Sequence, residues 1–201
     1  MPIYKVAVLG SGVMGSTIAA HLANAGIPSI LLDIVPSSLL PEEEAAGLTL
    51  ESPKVRNRIA SANKAKLLKM KPAPLFVPEF AELIEVGNFE DDLHRLQEVD
   101  WVVEVVVERL DIKIDLFKKV CQNVRPGTII SSNTSGISLA AMSEGISEEH
   151  APNFLGTHFF NPPRYMKLFE LIPGPKTDPA VLKEMEQFAE RVLGKGVVYA
   201  K

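Results

Sequence analysis

Short apolar, β-branched runs alternate with stretches of helical spacing along most of this chain. Lys5-Val6-Ala7-Val8-Leu9 is apolar without alternation and runs into Gly10, which predicts a strand buried on both faces. From residue 13 the period changes. Val13, Ile18, Leu22 and Ala25 share a helical face, and Gly26 is a natural stop. Ser29-Ile30-Leu31-Leu32-Asp33 predicts a second strand, which completes a βαβ unit. Further strands are predicted at 83–86, 101–107, 128–132, 153–158, 167–172 and 196–200, with helices over 110–124, 138–144 and 178–193. The pattern is weakest over 36–80, which Pro36, Pro41, Pro53, Pro72, Pro74 and Pro78 interrupt. Residues 53–70, rich in Lys, Arg and Ala, predict one basic helix, either solvated at the domain edge or facing a phosphate. The alternation predicts an α/β fold: one Rossmann-type, doubly wound domain over 1–201, with a mostly parallel sheet and an added hairpin strand.

Composition narrows the partners. Apolar residues make up 46% and charged residues 23% of the chain, values of a globular protein rather than a disordered one. A net charge of -4 gives no basic surface for nucleic acid. No apolar stretch is long enough to span a membrane, and Met1-Pro2-Ile3-Tyr4-Lys5 does not open a signal peptide. The one cysteine, Cys121, allows no intramolecular disulfide and offers no cysteine pair for a metal; it reads as a packed helical thiol. With four His spread along the sequence, no metal site is expected. A cytoplasmic location is expected from the same features.

The chemistry begins in the first βαβ unit. Gly10-Ser11-Gly12-Val13-Met14-Gly15 has G-x-G-x-x-G spacing between a predicted strand and a predicted helix. Gly10 permits the tight turn, Gly12 lets the backbone approach a pyrophosphate, and Gly15 lets the helix pack close to the sheet. The helix N-terminus supplies free N–H groups and partial positive charge. Asp33 closes the second strand, where a carboxylate accepts from a ribose diol and repels a 2′-phosphate, which favours NAD over NADP.

A second group of residues lies downstream. If 154–158 and 168–172 form a hairpin, His158 faces Glu170 at cross-strand distance. A carboxylate there orients the imidazole and favours its protonated form, the arrangement of a general base; a core histidine satisfied by an acid is the structural alternative. His21, His94 and His150 read as structural or solvated. Ser132-Asn133-Thr134-Ser135-Gly136 follows a strand at its carboxyl end, where open α/β sheets bind ligands, though a polar turn with helix capping has the same composition. Glu108 and Lys113 follow the long apolar strand and read equally as surface charges. Glu104 lies within that strand and needs a partner if buried.

Taken in order, Gly10–Gly15, Val103-Glu104-Val105-Val106-Val107-Glu108, Ser132-Asn133-Thr134-Ser135, His158-Phe159-Phe160-Asn161-Pro162 and Met166-Lys167-Leu168-Phe169-Glu170 resemble the NAD-binding domain of 3-hydroxyacyl-CoA dehydrogenases. The resemblance spans nearly the whole chain. It implies His158 as general base, Glu170 as its carboxylate partner and Ser135 at the substrate oxygen. Glu108, Lys113 and Asn133 would lie along the nicotinamide half of the cofactor. The implied activity is NAD-dependent oxidation of (3S)-3-hydroxyacyl-CoA to 3-oxoacyl-CoA in fatty-acid β-oxidation, alone or within a bifunctional enzyme. The family's helical C-terminal domain, which carries a further active-site asparagine and most dimer contacts, would begin where this chain stops; a longer, homodimeric enzyme is expected. The basic segment at 45–75 does not match the family's acyl-CoA-contacting arm clearly. The rival readings are a hydroxybutyryl-CoA or β-hydroxyacid dehydrogenase, and a non-catalytic dinucleotide-binding protein of the crystallin type.

Overall fold

The structure is a computed structural model that describes residues 3–200. Its first unit follows the sequence pattern closely. Strand β1 (Val6–Leu9) is buried throughout, α1 (Val13–Asn24) follows the glycine loop, and β2 (Ser29–Asp33) returns parallel to β1. Three short helices come next: α2 (Pro41–Ala45), α3 (Pro53–Arg56) and α4 (Arg58–Lys66). The rest runs β3 (Ile84–Asn88), β4 (Trp101–Glu104), α5 (Leu110–Asn123), β5 (Ile129–Ser132), α6 (Leu139–Met142), β6 (Phe154–Phe159), β7 (Leu168–Pro173), α7 (Pro179–Arg191) and β8 (Gly196–Tyr199).

Among the described residues these strands form one sheet in the order β3-β2-β1-β4-β5-β6-β7-β8. All neighbours are parallel except β6 and β7, which form the antiparallel hairpin; β8 adds to β7 in parallel at the edge. The chain leaves β1 toward β2 and later returns to β4 on its other side. The carboxyl ends of β1 and β4 are therefore the topological switch point, where ligands bind in such sheets. Apolar side chains fill both faces. One core joins α1 and α7 to the sheet and is built around Trp101, Phe159, Phe169 and Phe188; the other packs Leu116, Phe117 and Val120 of α5. Trp101 stacks on Phe159 with centroids 6.4 Å apart, and Phe159 meets Phe169 edge-on at 4.7 Å, so the hairpin is anchored from below. No helix among the described residues is long and apolar enough to cross a membrane.

Two sequence expectations are corrected. The basic stretch 53–70 is not one helix. It breaks at Asn57, whose backbone leaves helical geometry (ψ 7°) while its side-chain oxygen accepts from Asn88 Nδ2 at 2.7 Å. Arg56 is held beside it by Glu90 and Asp91, so tertiary bonds to the end of β3 override helix propensity. The apolar run 101–107 is a strand only to Glu104. Val105 N still reaches Leu9 O at 2.8 Å, but Val106 N turns onto the Glu104 carboxylate at 2.7 Å, and Val107 is exposed.

That turn carries a buried ion pair. Glu104 is fully buried, and Lys113 Nζ, only 1% exposed, donates to Oε1 at 2.6 Å. Ser132 Oγ donates to Oε2. The partner that a buried Glu104 requires is thus Lys113, one turn into α5, and the reading of Lys113 as a surface charge is overturned. The glycine loop is equally constrained. Gly10 sits at φ +104°, a left-handed conformation natural to glycine, and a Cβ on Gly15 would lie 1.8 Å from Gly10 O.

Gly15→Ala is expected to destabilise the chain by about 2 kcal/mol or more, because backbone rather than a flexible side chain must move. Urea unfolding checks this, and a parental midpoint would contradict the close approach. Glu104→Gln is expected to cost about 3 kcal/mol, since it leaves the buried Lys113 ammonium with only the exposed Glu108 carboxylate at 4.0 Å as a counter-charge; adding Lys113→Met is expected to restore much of the loss. Additive losses in the double variant would show that the two residues do not act as a pair.

Candidate active site

The first part of the site is the glycine loop at the switch point. Strand β1 delivers Gly10, whose N–H bonds Leu32 O at 2.8 Å, and α1 starts at Val13. No side chain caps the start of α1, and its first turn holds no acidic residue. The first-turn N–H groups and the positive end of the helix are therefore open to an anion. Gly12 has nothing within 4 Å of the position its Cβ would take, so the loop leaves room there for a ligand to lie against the backbone. Val13 is exposed beside it, while Met14 packs toward the core. Gly10, Gly12 and Asp33 line one cleft of about 550 Å³, with Ile34, Val106 and Val107 as apolar walls. A diphosphate cradle, a half-buried carboxylate and an apolar slot together fit a dinucleotide.

The second part is the hairpin. The register sets His158 opposite Glu170, as the sequence symmetry predicts. Nδ1 of His158 donates to Glu170 Oε2 at 2.9 Å. Because a carboxylate accepts, this bond places the ring proton on Nδ1 and leaves the Nε2 lone pair free. His158 and Glu170 are both half-buried, which keeps the pair reachable. They line a cleft of about 700 Å³ with Ser135, and Phe160, Ile137 and Ile172 give it apolar sides.

Asn133 joins the two strands at the edge of that cleft. Its N–H bonds Glu104 O at 2.9 Å, and its side-chain oxygen accepts from Phe159 N at 2.8 Å. That bond fixes the orientation of the amide, which leaves its Nδ2 donors and one oxygen lone pair for a ligand. Thr134 Oγ1 donates to Glu108 Oε2 at 2.6 Å, and Glu108 remains exposed. Lys113 lies 4.0 Å from the same carboxylate, behind it. Glu104 thus underlies the whole edge: it holds Lys113, Ser132 and the Val106 turn.

Several supporting residues escape sequence reading. Lys195 is buried with no carboxylate partner among the described residues and donates to Pro163 O and Met166 O, which pins the turn of the hairpin. Burial and nearby Lys167 pull its pKa down to about 8. Arg164 and Tyr165 reach from the same turn to the carbonyl of Ala73, at 2.7 and 2.9 Å. No periodicity marks these positions. The remaining histidines stand apart from both clefts. His21 is held neutral by burial and by Lys195, with its pKa pushed down to about 4. His94 meets Asp91 O, and His150 meets Ser147 Oγ. Cys121 is half-buried, and burial pushes its thiol pKa up, as a packed thiol requires.

Known proteins match this chain. The family model described as "3-hydroxyacyl-CoA dehydrogenase, NAD binding domain" matches residues 5–201. The chain is 57% identical over 199 residues to a probable 3-hydroxyacyl-CoA dehydrogenase of Bacillus subtilis (strain 168), covering 99% of this chain and 25% of that protein. A protein of the same description from Deinococcus radiodurans is 52% identical over 200 residues, covering 100% of this chain and 54% of that protein. Among solved structures, the (S)-3-hydroxybutyryl-CoA dehydrogenase of Ralstonia eutropha is similar with a TM-score of 0.72 and 27% identity, covering 100% of this chain and 64% of that one. The chain spans a quarter to about half of the length of these curated relatives. With the family model matched over nearly the whole chain and two relatives more than half identical across it, the chain belongs to the 3-hydroxyacyl-CoA dehydrogenases and carries their NAD-binding domain.

Proposed function

We propose that this chain forms the cofactor half and the catalytic base of an enzyme that oxidises (3S)-3-hydroxyacyl-CoA to 3-oxoacyl-CoA in fatty-acid β-oxidation. The observation that carries the reading is the His158–Glu170 pair, 2.9 Å apart, in one cleft with Ser135. Bound NAD would supply the two-electron acceptor. Gly10, Gly12, Val13, Met14 and Gly15 hold its diphosphate by backbone N–H groups, and Asp33 accepts from the adenine ribose. Glu108 and Asn133 would lie along its nicotinamide half, with Lys113 in support. Lys113 acts there from behind, through its hold on the Glu104 edge and its charge near Glu108.

His158 Nε2 takes the proton of the substrate hydroxyl. Glu170 keeps Nδ1 protonated and stabilises the positive charge that then forms on the ring. Ser135, exposed in the cleft, holds the substrate oxygen by its hydroxyl. The further expectations belong to the same reading: residues 1–201 as one NAD-binding domain, a helical domain beyond it that completes the acyl-CoA site, a homodimer formed through that domain, and a cytoplasmic enzyme. A narrower substrate, 3-hydroxybutyryl-CoA, is favoured by one observation, the likeness to the Ralstonia enzyme of that description. A non-catalytic, crystallin-like role leaves the reachable His158–Glu170 pair without purpose.

His158→Gln in the full-length enzyme is expected to lower turnover of (3S)-3-hydroxybutyryl-CoA by roughly 10²- to 10⁴-fold, the usual contribution of a positioned base, while NADH binding changes less than about twofold. NADH absorbance follows the first quantity and calorimetry the second. Parental turnover in this variant would remove the base assignment.

A further inference from the structure

Ser11, the second residue of the glycine loop, is fully buried and stands in a line of four polar side chains. Lys66 Nζ donates to Asn63 Oδ1 at 2.9 Å, and Asn63 Nδ2 donates to Ser11 Oγ at 2.9 Å. Ser11 Oγ in turn donates to Asp33 Oδ2. The direction of this line is forced by its ends. An ammonium only donates, so Asn63 spends its oxygen on Lys66 and must turn its NH₂ toward Ser11. Ser11, accepting there, gives its single proton to Asp33. The carboxylate, which only accepts, closes the line.

Asp33 takes two backbone donors as well. Ser11 N reaches Oδ2 at 2.7 Å, and Ile34 N reaches Oδ1 at 2.7 Å. A carboxylate oxygen accepts about two hydrogen bonds. Oδ2 is therefore filled, and Oδ1 keeps one acceptor direction for the cleft that Asp33 lines. Without the Ser11 hydroxyl the carboxylate would keep only its two backbone donors, one on each oxygen, and Oδ2 would lose one of the two bonds that fix its orientation at the cleft wall.

We propose that Ser11 and Asn63 are positioning residues that lock the Asp33 carboxylate with Oδ1 toward the adenine ribose, and so set the preference for NAD over NADP. This rests on the reading above that Asp33 meets the ribose. A locked carboxylate accepts from the 2′-hydroxyl in a fixed direction and cannot swing away from a 2′-phosphate. One held by its backbone donors alone does both less well. The helical segment after β2 thereby takes part in cofactor choice from outside the cleft, through Asn63.

The test titrates NADH, NADPH and ADP-ribose separately into the 201-residue chain and its variants, with thermal unfolding as the measure of folding. Ser11→Ala and Asn63→Ala are each expected to weaken NADH and ADP-ribose by about five- to tenfold, the effect of one hydrogen bond to a charged group or its support. NADPH binding changes less, so the NADH-over-NADPH preference falls about fivefold. A merely structural role would weaken both dinucleotides together and leave that ratio in place. Lys66→Met, at an exposed position, is expected to shift the ratio about twofold in the same direction, and it decides the matter with Asn63→Ala if Ser11→Ala fails to fold. In an Asp33→Asn background, Ser11→Ala is expected to change the ratio no further. An unchanged ratio in the Ser11 and Asn63 variants, with Asp33→Asn still abolishing the preference, would overturn the lock and leave the ribose reading standing. An unchanged ratio in Asp33→Asn itself would remove the ribose reading and the lock with it.

Discussion

A carboxylate buried at the end of a central strand has to find donors, and Glu104 finds three: Lys113, Ser132 and the N–H of Val106. Each of these bonds shapes a different part of the site. The bond to Val106 turns the chain away from the sheet just where Gly10 passes. The bond to Ser132 fixes the end of β5, from which Asn133 reaches across to Phe159 on β6. The bond to Lys113 ties α5 to the strand ends and brings its charge to 4.0 Å from Glu108. In a low-dielectric interior such an arrangement is costly to leave half-made. The edge of the sheet is thus held as one unit, and both clefts open beside it.

On this edge the two halves of the chemistry are built by different means. The cofactor half is made of backbone: a left-handed glycine, a helix start without a cap, and a glycine with open space where a side chain would be. Beside the loop, Asp33 brings a carboxylate to the cleft, and Ile34, Val106 and Val107 wall it. The half proposed to hold the base is made of side chains placed by strand register. A one-residue slip of the hairpin would send His158 and Glu170 to the other face, so the register needs strong anchoring. Phe159, stacked on Trp101, and Phe169, packed edge-on against Phe159, supply it from one core, and Lys195 and Arg164 hold the turn.

How much of this was legible in the sequence follows from the range of each interaction. The buried parallel strands read clearly, because burial on both faces demands continuous apolar runs. The hairpin pairing of His158 with Glu170 also read clearly, because antiparallel register is symmetric about the turn. The run 101–107 misled because Val105, Val106 and Val107 suit a strand by composition, and only the carboxylate of Glu104 ends it. The basic stretch 53–70 misled for a similar reason: bonds from Asn57 and Arg56 to residues about thirty positions away break it. The pairing of Lys113 with Glu104, the role of Lys195 and the Ser11–Asn63 contact were invisible, since each is a long-range or buried polar contact with no periodic signature.

The central claim is that the hairpin presents His158 as a base, with Glu170 holding one ring nitrogen and the other free toward the cleft. The ¹⁵N shifts of the His158 ring in the neutral form test it most directly, read from spectra of the chain assigned with His158→Gln. The account predicts the Nδ1–H tautomer, with a protonated-type shift at Nδ1 and a free lone-pair shift at Nε2. A neutral ring with its proton on Nε2 would contradict it, because that nitrogen could then take no proton from a substrate.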